Sequence, residues 1–231
     1  ALPISLVKQQ NHTRGASKVS KNYNASKTLA NLFPKDKRVA VIFACDNYEG
    51  ASHNGVRLDD LKCAVKDAEL FRDTITKAGF EVCAYKINEE CTSDSMRDVL
   101  DNIIDRFDDE KAVIGQFIFY YAGHGVKDKL GKGWLALHKY QHNNRSSKFK
   151  MATLKDKASE IGAIQQLYIL DCCHAGELFT TVTRGVKETF GMQLASKPCV
   201  YGITAVTGDQ LAEEDRTTGH GLFTKILCIF L

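Results

Sequence analysis

Three largely apolar runs constrain this chain more than any other feature: RVAVIFAC (38–45), AVIGQFIFYYAGHG (112–125), which stops at a glycine-flanked histidine, and QLYILDCCHAG (166–176). Each holds a strand's length of apolar residues, and none alternates, so both faces of each strand must be buried. FEVCAYK (80–86) and PCVYGITAV (198–206) supply two further strands. Between them, residues 58–80, 92–107 and 151–164 repeat apolar positions every three or four, and GLFTKILCIFL (221–231) reads as an apolar helix. Residues 92–107 open on capping side chains and 58–80 stop at Gly79, as helices do. The pattern predicts an α/β fold with a mostly parallel central sheet flanked by helices on both faces. Open sheets of this kind bind ligands beyond the C-terminal ends of their strands. YYAGHG (120–125) and LDCCHAG (170–176) both occupy such ends, which puts two clusters of reactive side chains on one edge of the sheet.

With 231 residues and 44% hydrophobic content the chain can bury one large core. A net charge of +3 is too small to make nucleic acid or a membrane the main partner. Residues 1–36 lack periodicity and are rich in Ser, Asn and Lys, which predicts a basic polar arm ahead of a domain over 37–231. GWLALHKY (133–140) reads as a short strand and HKYQHNNRSSKFK (138–150) as a second basic polar stretch. Eight cysteines without a Cys-x-x-Cys pair do not make a disulfide scaffold. Free thiols, no signal-peptide pattern and no apolar run of about 18 residues lead us to expect a cytoplasmic chain.

A thiol and an imidazole at one sheet edge can act as nucleophile and base. His124 stands between two glycines, where backbone can approach a substrate closely. The amides of Gly125 and Cys173 could hold the oxyanion, the latter at the start of a helix expected near Ala175. Taken singly, Cys173 reads as a buried inert thiol and His124 as a structural histidine; their pairing at the ends of two successive core strands reverses that. Other chemistries fit less well. A phosphatase loop would need arginine where Phe179 stands, and GVKDKLGKG (125–133) lacks the ending of a phosphate-binding loop. A zinc site lacks paired ligands, so no metal ligand is assigned. A redox pair of Cys172 and Cys173 is a further alternative.

YYAGHG and LDCCHAG, about fifty residues apart, resemble the motifs of the metacaspase and caspase-like cysteine peptidases. VIFACDNYEG (41–50) with LDDLKCAVKDAELF (58–71) is similar to the opening of that family's domain, and ITAVTGDQLAEE (203–214) with GHGLFTKIL (219–227) to its small-subunit region. The resemblance covers residues 37–231 and implies a caspase-hemoglobinase fold, with a large-subunit region to about 178, a linker over 179–197 and the start of a small subunit from 198. It implies peptide hydrolysis with His124 and Cys173 as catalytic residues, Cys172 being the non-catalytic neighbour. It places Asp67 and Asp171 in the pocket for the residue before the scissile bond. Two carboxylates there favour arginine, then lysine, and repel aspartate. The plainer readings are a solvated helix acid for Asp67 and a strand-end cap for Asp171. Ala122 stands where many metacaspases have serine, which removes a hydroxyl from the pocket. Acidic clusters that bind calcium in some members are missing: the loop after His124 carries Lys127, Asp128, Lys129, Lys132 and Lys139. The chemistry is expected to need no cofactor. Arg184, Lys187 and Lys197 in the linker are candidate self-cleavage positions of a zymogen. The expected partners are peptides or proteins with Arg or Lys before the cut bond, acted on by a monomer. The alternative is a catalytically silent caspase-like scaffold or regulator.

Overall fold

The computed structural model describes residues 37–172, 199–205, 214–215 and 219–231. The arm 1–36, the expected helix near Ala175, Cys173, Arg184, Lys187 and Lys197 lie outside the described residues. In chain order the strands are β1 (Arg38–Ala44), β2 (Ser52–His53), β3 (Val56–Arg57), β4 (Glu81–Ile87), β5 (Gln116–Ala122), β6 (His124–Lys127), β7 (Gly133–Ala136), β8 (Lys148–Lys150), β9 (Gln165–Asp171), β10 (Cys199–Thr204), β11 (Glu214–Asp215) and β12 (His220–Gly221). The helices are α1 (Ala64–Lys77), α2 (Ser93–Asp109), α3 (Met151–Ile161) and α4 (Leu222–Phe230).

A five-stranded sheet in the order β10-β9-β5-β1-β4 is parallel throughout. Its two faces bury different sets of side chains because successive residues of a strand point opposite ways. Val39, Val41, Phe43, Phe117, Phe119, Tyr121, Tyr168 and Leu170 pack with Met96, Leu100 and Ile103 of α2 and Leu154 and Ala158 of α3. Ala40, Ile42, Ala44, Ile118, Tyr120, Ala122 and Ile169 pack with Ala68, Phe71 and Ile75 of α1, and with Phe223 and Leu227 of α4. Helices on both faces explain why the strand sequences show no polar alternation. The sheet is the expected α/β architecture, parallel and covered by helices on both faces.

Local differences from the sequence expectation have physical causes. Helix α1 begins at Ala64 rather than near Leu58, because the Asp46 carboxylate accepts the N–H groups of Ala64 and Val65 at 2.9 and 3.2 Å. The cap comes from beyond the end of β1, so residues 58–63 are left as a loop. At its far end Gly79 takes φ 88° and the Phe80 N–H returns to the Ile75 carbonyl at 3.0 Å. The strand expected through His124 is broken: β5 ends at Ala122 and His124 opens β6 in a separate sheet, β6-β7-β8. Gly123 makes the break. A Cβ there would lie 2.5 Å from the Tyr121 hydroxyl and 2.6 Å from the Tyr48 hydroxyl. In the basic stretch 138–150, Lys148–Lys150 forms β8, with Phe149 turned inward opposite Leu135. Its alternation of Lys, Phe and Lys has the strand period.

The ends of three core strands are level. Ala44 pairs with Ala122, and Ala122 pairs with Asp171. Just beyond, the Cys45 N–H donates to the Ala122 carbonyl at 3.0 Å and the Gly123 N–H to the Asp171 carbonyl at 3.2 Å. Among the described residues no helix is long and apolar enough to cross a membrane.

Candidate active site

The imidazole of His124 is held from two sides. Its Nε2 lies 2.8 Å from the Asp59 carbonyl oxygen. A carbonyl can only accept, so Nε2 carries a proton and the neutral ring keeps its lone pair at Nδ1. On the other side stands Tyr48, with ring centroids 4.5 Å apart and planes at 63°. The Tyr48 hydroxyl accepts the His124 main-chain N–H at 2.9 Å and donates to the Ala136 carbonyl at 2.9 Å. The Tyr48 N–H in turn donates to Asp60 Oδ1 at 2.6 Å. The loop left over before α1 therefore fixes both the tyrosine and the carbonyl that orient the ring. Burial lowers the His124 pKa, against the Asp59 carbonyl and the charges of Asp59 and Asp60, which pull it up. A neutral ring at neutral pH suits a base.

A second group lies on the α1 and α4 side of the same strand ends. Asp67, on the first turn of α1, is 3% exposed, so it is not the solvated helix acid of the plainer reading. Its Oδ1 accepts from His220 Nδ1 at 2.8 Å and its Oδ2 from the Gly221 N–H at 2.9 Å. Asp171 ends β9, and its Oδ2 accepts from the Thr224 hydroxyl of α4 at 2.7 Å. Tyr120 Oη stands 2.7 Å from Thr224 Oγ1, so Tyr120 donates to Thr224 as Thr224 donates to the carboxylate. The two acids meet at Gly221: a Cβ there would lie 2.7 Å from Asp67 Oδ2 and 3.5 Å from Asp171 Oδ2. Burial, with the charge of Asp67 adding to it, raises the Asp171 pKa to about 6. Burial raises Asp67 as well, against the hydrogen bonds from Gly221 and His220. Ala122 is buried opposite Asp171 in the β5–β9 register.

The structure thus brings Asp67, Asp171 and Ala122 together, and places His124 across Gly123 from Ala122. Gly125 lies in β6 opposite Leu135. Cys173 is one peptide unit beyond Cys172. The Cys172 side chain is 1% exposed and belongs to the core on the α2 and α3 side, with Tyr168 and Leu170. A redox role for that thiol is disfavoured by such burial. Tyr48, the Asp59 carbonyl and Thr224 carry no mark in the sequence that singles them out for the site, unlike His220. One signal exists for that residue: Gly-His-Gly occurs at 123–125 and again at 219–221. Among the described residues, no group of three His, Cys, Asp or Glu side chains is placed to hold a metal ion.

The family model described as Caspase domain, Peptidase_C14, matches residues 37–231. No curated protein matches the chain. The crystal structure of protein GSU0716 from Geobacter sulfurreducens is similar at a TM-score of 0.55 and 17% identity, over 83% of this chain and 80% of that one. That likeness is one of fold alone. The match of the family model over the whole sheet and its helices carries the assignment: the chain belongs to the caspase-domain family of peptidases.

Proposed function

We propose that this protein is a cysteine endopeptidase of metacaspase type that cuts after Arg, and less readily after Lys. The observation that carries the reading is the presence at one sheet edge of an oriented imidazole and a pair of carboxylates. His124 has its Nε2–H engaged by Asp59 and its Nδ1 left as acceptor, while Asp67 and Asp171 flank Gly221. Cys173 follows two residues after Asp171 in the chain.

In the proposed reaction His124 Nδ1 takes the thiol proton of Cys173, and the sulfur attacks the scissile carbonyl carbon. The amides of Gly125 and Cys173 hold the oxygen that becomes negative. His124 then gives the proton to the leaving amine, and a thioester remains. Water attacks that thioester with His124 as base, which frees the acid and restores the thiol. No metal enters these steps. The negative pocket favours a side chain that brings a charge and several N–H donors, and arginine supplies both in a planar fork.

Turnover of fluorogenic peptides ending in Arg, Lys or Asp tests the reading. Arg should exceed Lys, Asp should be inert, and Cys173→Ala should abolish turnover. Retained activity in Cys173→Ala, or a preference for Asp, would refute it. The same specificity makes Arg184, Lys187 and Lys197 sites of self-processing; mass spectrometry of the incubated protein beside Cys173→Ala should find cuts there only with the thiol present.

A further inference from the structure

Asp67 and His220 lie at opposite ends of the domain sequence, yet their side chains meet in a hydrogen bond. His220 Nδ1 and the Gly221 N–H approach the two oxygens of one carboxylate at 2.8 and 2.9 Å. Two donors side by side on a carboxylate reproduce the fork by which a guanidinium pairs with an acid. The protein has therefore already supplied Asp67 with what an incoming arginine would offer. The approach is close enough that only glycine fits at 221, since a Cβ would come within 2.7 Å of Asp67 Oδ2.

Asp171 differs. It is more exposed than Asp67, and among the described residues only its Oδ2 is engaged, by Thr224. Thr224 stands in the first turn of α4, directly after the segment that Asp67 holds. Holding His220 and Gly221 on Asp67 thus sets where α4 begins, and with it the hydroxyl that orients Asp171.

We propose that His220 is a positioning residue of the cation pocket: with the Gly221 amide it latches Asp67, so that Asp67 anchors the segment ahead of α4 and Asp171 alone meets the substrate's cation. This rests on the arginine-pocket reading above. It divides the labour of the two acids. Asp67 contributes its charge to the pocket and its hydrogen bonds to the latch; Asp171 contributes direct contact. The other charged groups around the latch are Asp46, whose charge acts on Asp67, Asp171 itself, and Lys66, whose Nζ would lie 3.8 Å from a Cβ on Gly219.

The test is a set of variants assayed with an Arg-ended fluorogenic peptide: His220→Ala, His220→Asn, Asp67→Asn and the double variant His220→Ala/Asp67→Asn. In His220→Asn the side-chain amide N–H can reach the place of Nδ1. His220→Ala should raise KM about tenfold, with the loss in KM rather than kcat, and His220→Asn should restore most of it. Because Asp67→Asn already breaks the latch that His220→Ala breaks, the double variant should be little worse than Asp67→Asn alone. A lower KM in His220→Ala would overturn the proposal, since it would mean that removing the imidazole freed Asp67 for the substrate. An unmoved KM, or fully additive losses in the double variant, would overturn it too. If His220→Ala fails to fold, His220→Asn and Asp67→Asn carry the comparison: the proposal then requires near wild-type KM in the first and a raised KM in the second. A wild-type protein that turns over no Arg peptide would overturn the pocket reading itself, whereas wild-type turnover with an unmoved KM in His220→Ala overturns the latch alone.

Discussion

Asp171→Asn should make the protein more stable while making it a worse enzyme. The Asp171 carboxyl rises from an ordinary value of 3.8 to about 6, chiefly through burial and further through the charge of Asp67. A carboxyl that holds its proton over this extra stretch of pH is disfavoured in its ionised form by about 1.4 kcal/mol for every tenfold fall in proton concentration. The ionised side chain therefore costs the substrate-free fold about 3 kcal/mol at neutral pH. The sign follows from the direction. A raised pKa means that the folded state holds a proton the unfolded chain has lost; the stabilisation is complete below 3.8 and gone once pH rises above about 6. Asparagine removes the charge and keeps an oxygen to accept from the Thr224 hydroxyl, which donates to Asp171 Oδ2 at 2.7 Å. Urea denaturation at pH 7.5 should therefore show the variant more stable by about 2–3 kcal/mol, and at pH 4 the gap should close. In thermal unfolding that is roughly 5–10 °C for a domain of this size. Its kcat/KM on an Arg peptide should fall by about 10- to 100-fold, the worth of a charge-assisted hydrogen bond. A variant no more stable than the wild type at pH 7.5, or a gap that persists unchanged at pH 4, would refute the reasoning.

Removing the Tyr48 hydroxyl in Tyr48→Phe leaves the His124 N–H without the acceptor it has at 2.9 Å, while Ala136 keeps its bond from Tyr121 at 2.6 Å. The loss should be about 1–3 kcal/mol by denaturation, with a fall in kcat. Gly123→Ala puts a methyl 2.5 Å from the Tyr121 hydroxyl and 2.6 Å from that of Tyr48, and should cost about 1–3 kcal/mol and displace His124, read as lost stability and turnover together. The acid limb of the pH–rate profile should have two sources. KM for Arg peptides should rise as pH falls through about 6, where Asp171 gains its proton, and kcat should fall with protonation of His124 below the ordinary histidine value. In Asp171→Asn the KM limb should vanish and the kcat limb remain.

Strands such as Arg38–Ala44 and Gln165–Asp171 are legible because burial on both faces leaves the apolar runs Val39–Ala44 and Leu167–Leu170 within them. The grouping of Asp67, Asp171 and Ala122 comes from the family resemblance, and the structure gives it a shared face of the sheet. What stays hidden depends on contacts across the chain. The Asp59 carbonyl that fixes the His124 tautomer is main chain, which every residue type possesses. Tyr48 reaches His124 across a separation of 76 residues, from a loop with no period of its own. The start of α1 is not readable from its own residues because its cap, Asp46, precedes the helix by a whole loop, whereas Thr92 caps α2 from the adjacent position and is readable.

Labelling with an arginine-based electrophile, followed by peptide mapping, bears most directly on the claim that His124 and Cys173 act together beside an acidic pocket. The probe should modify Cys173 and no other cysteine, fail to react with Cys173→Ala, and react far more slowly with His124→Ala. Modification of a different thiol, or equal rates with and without the imidazole, would contradict the account.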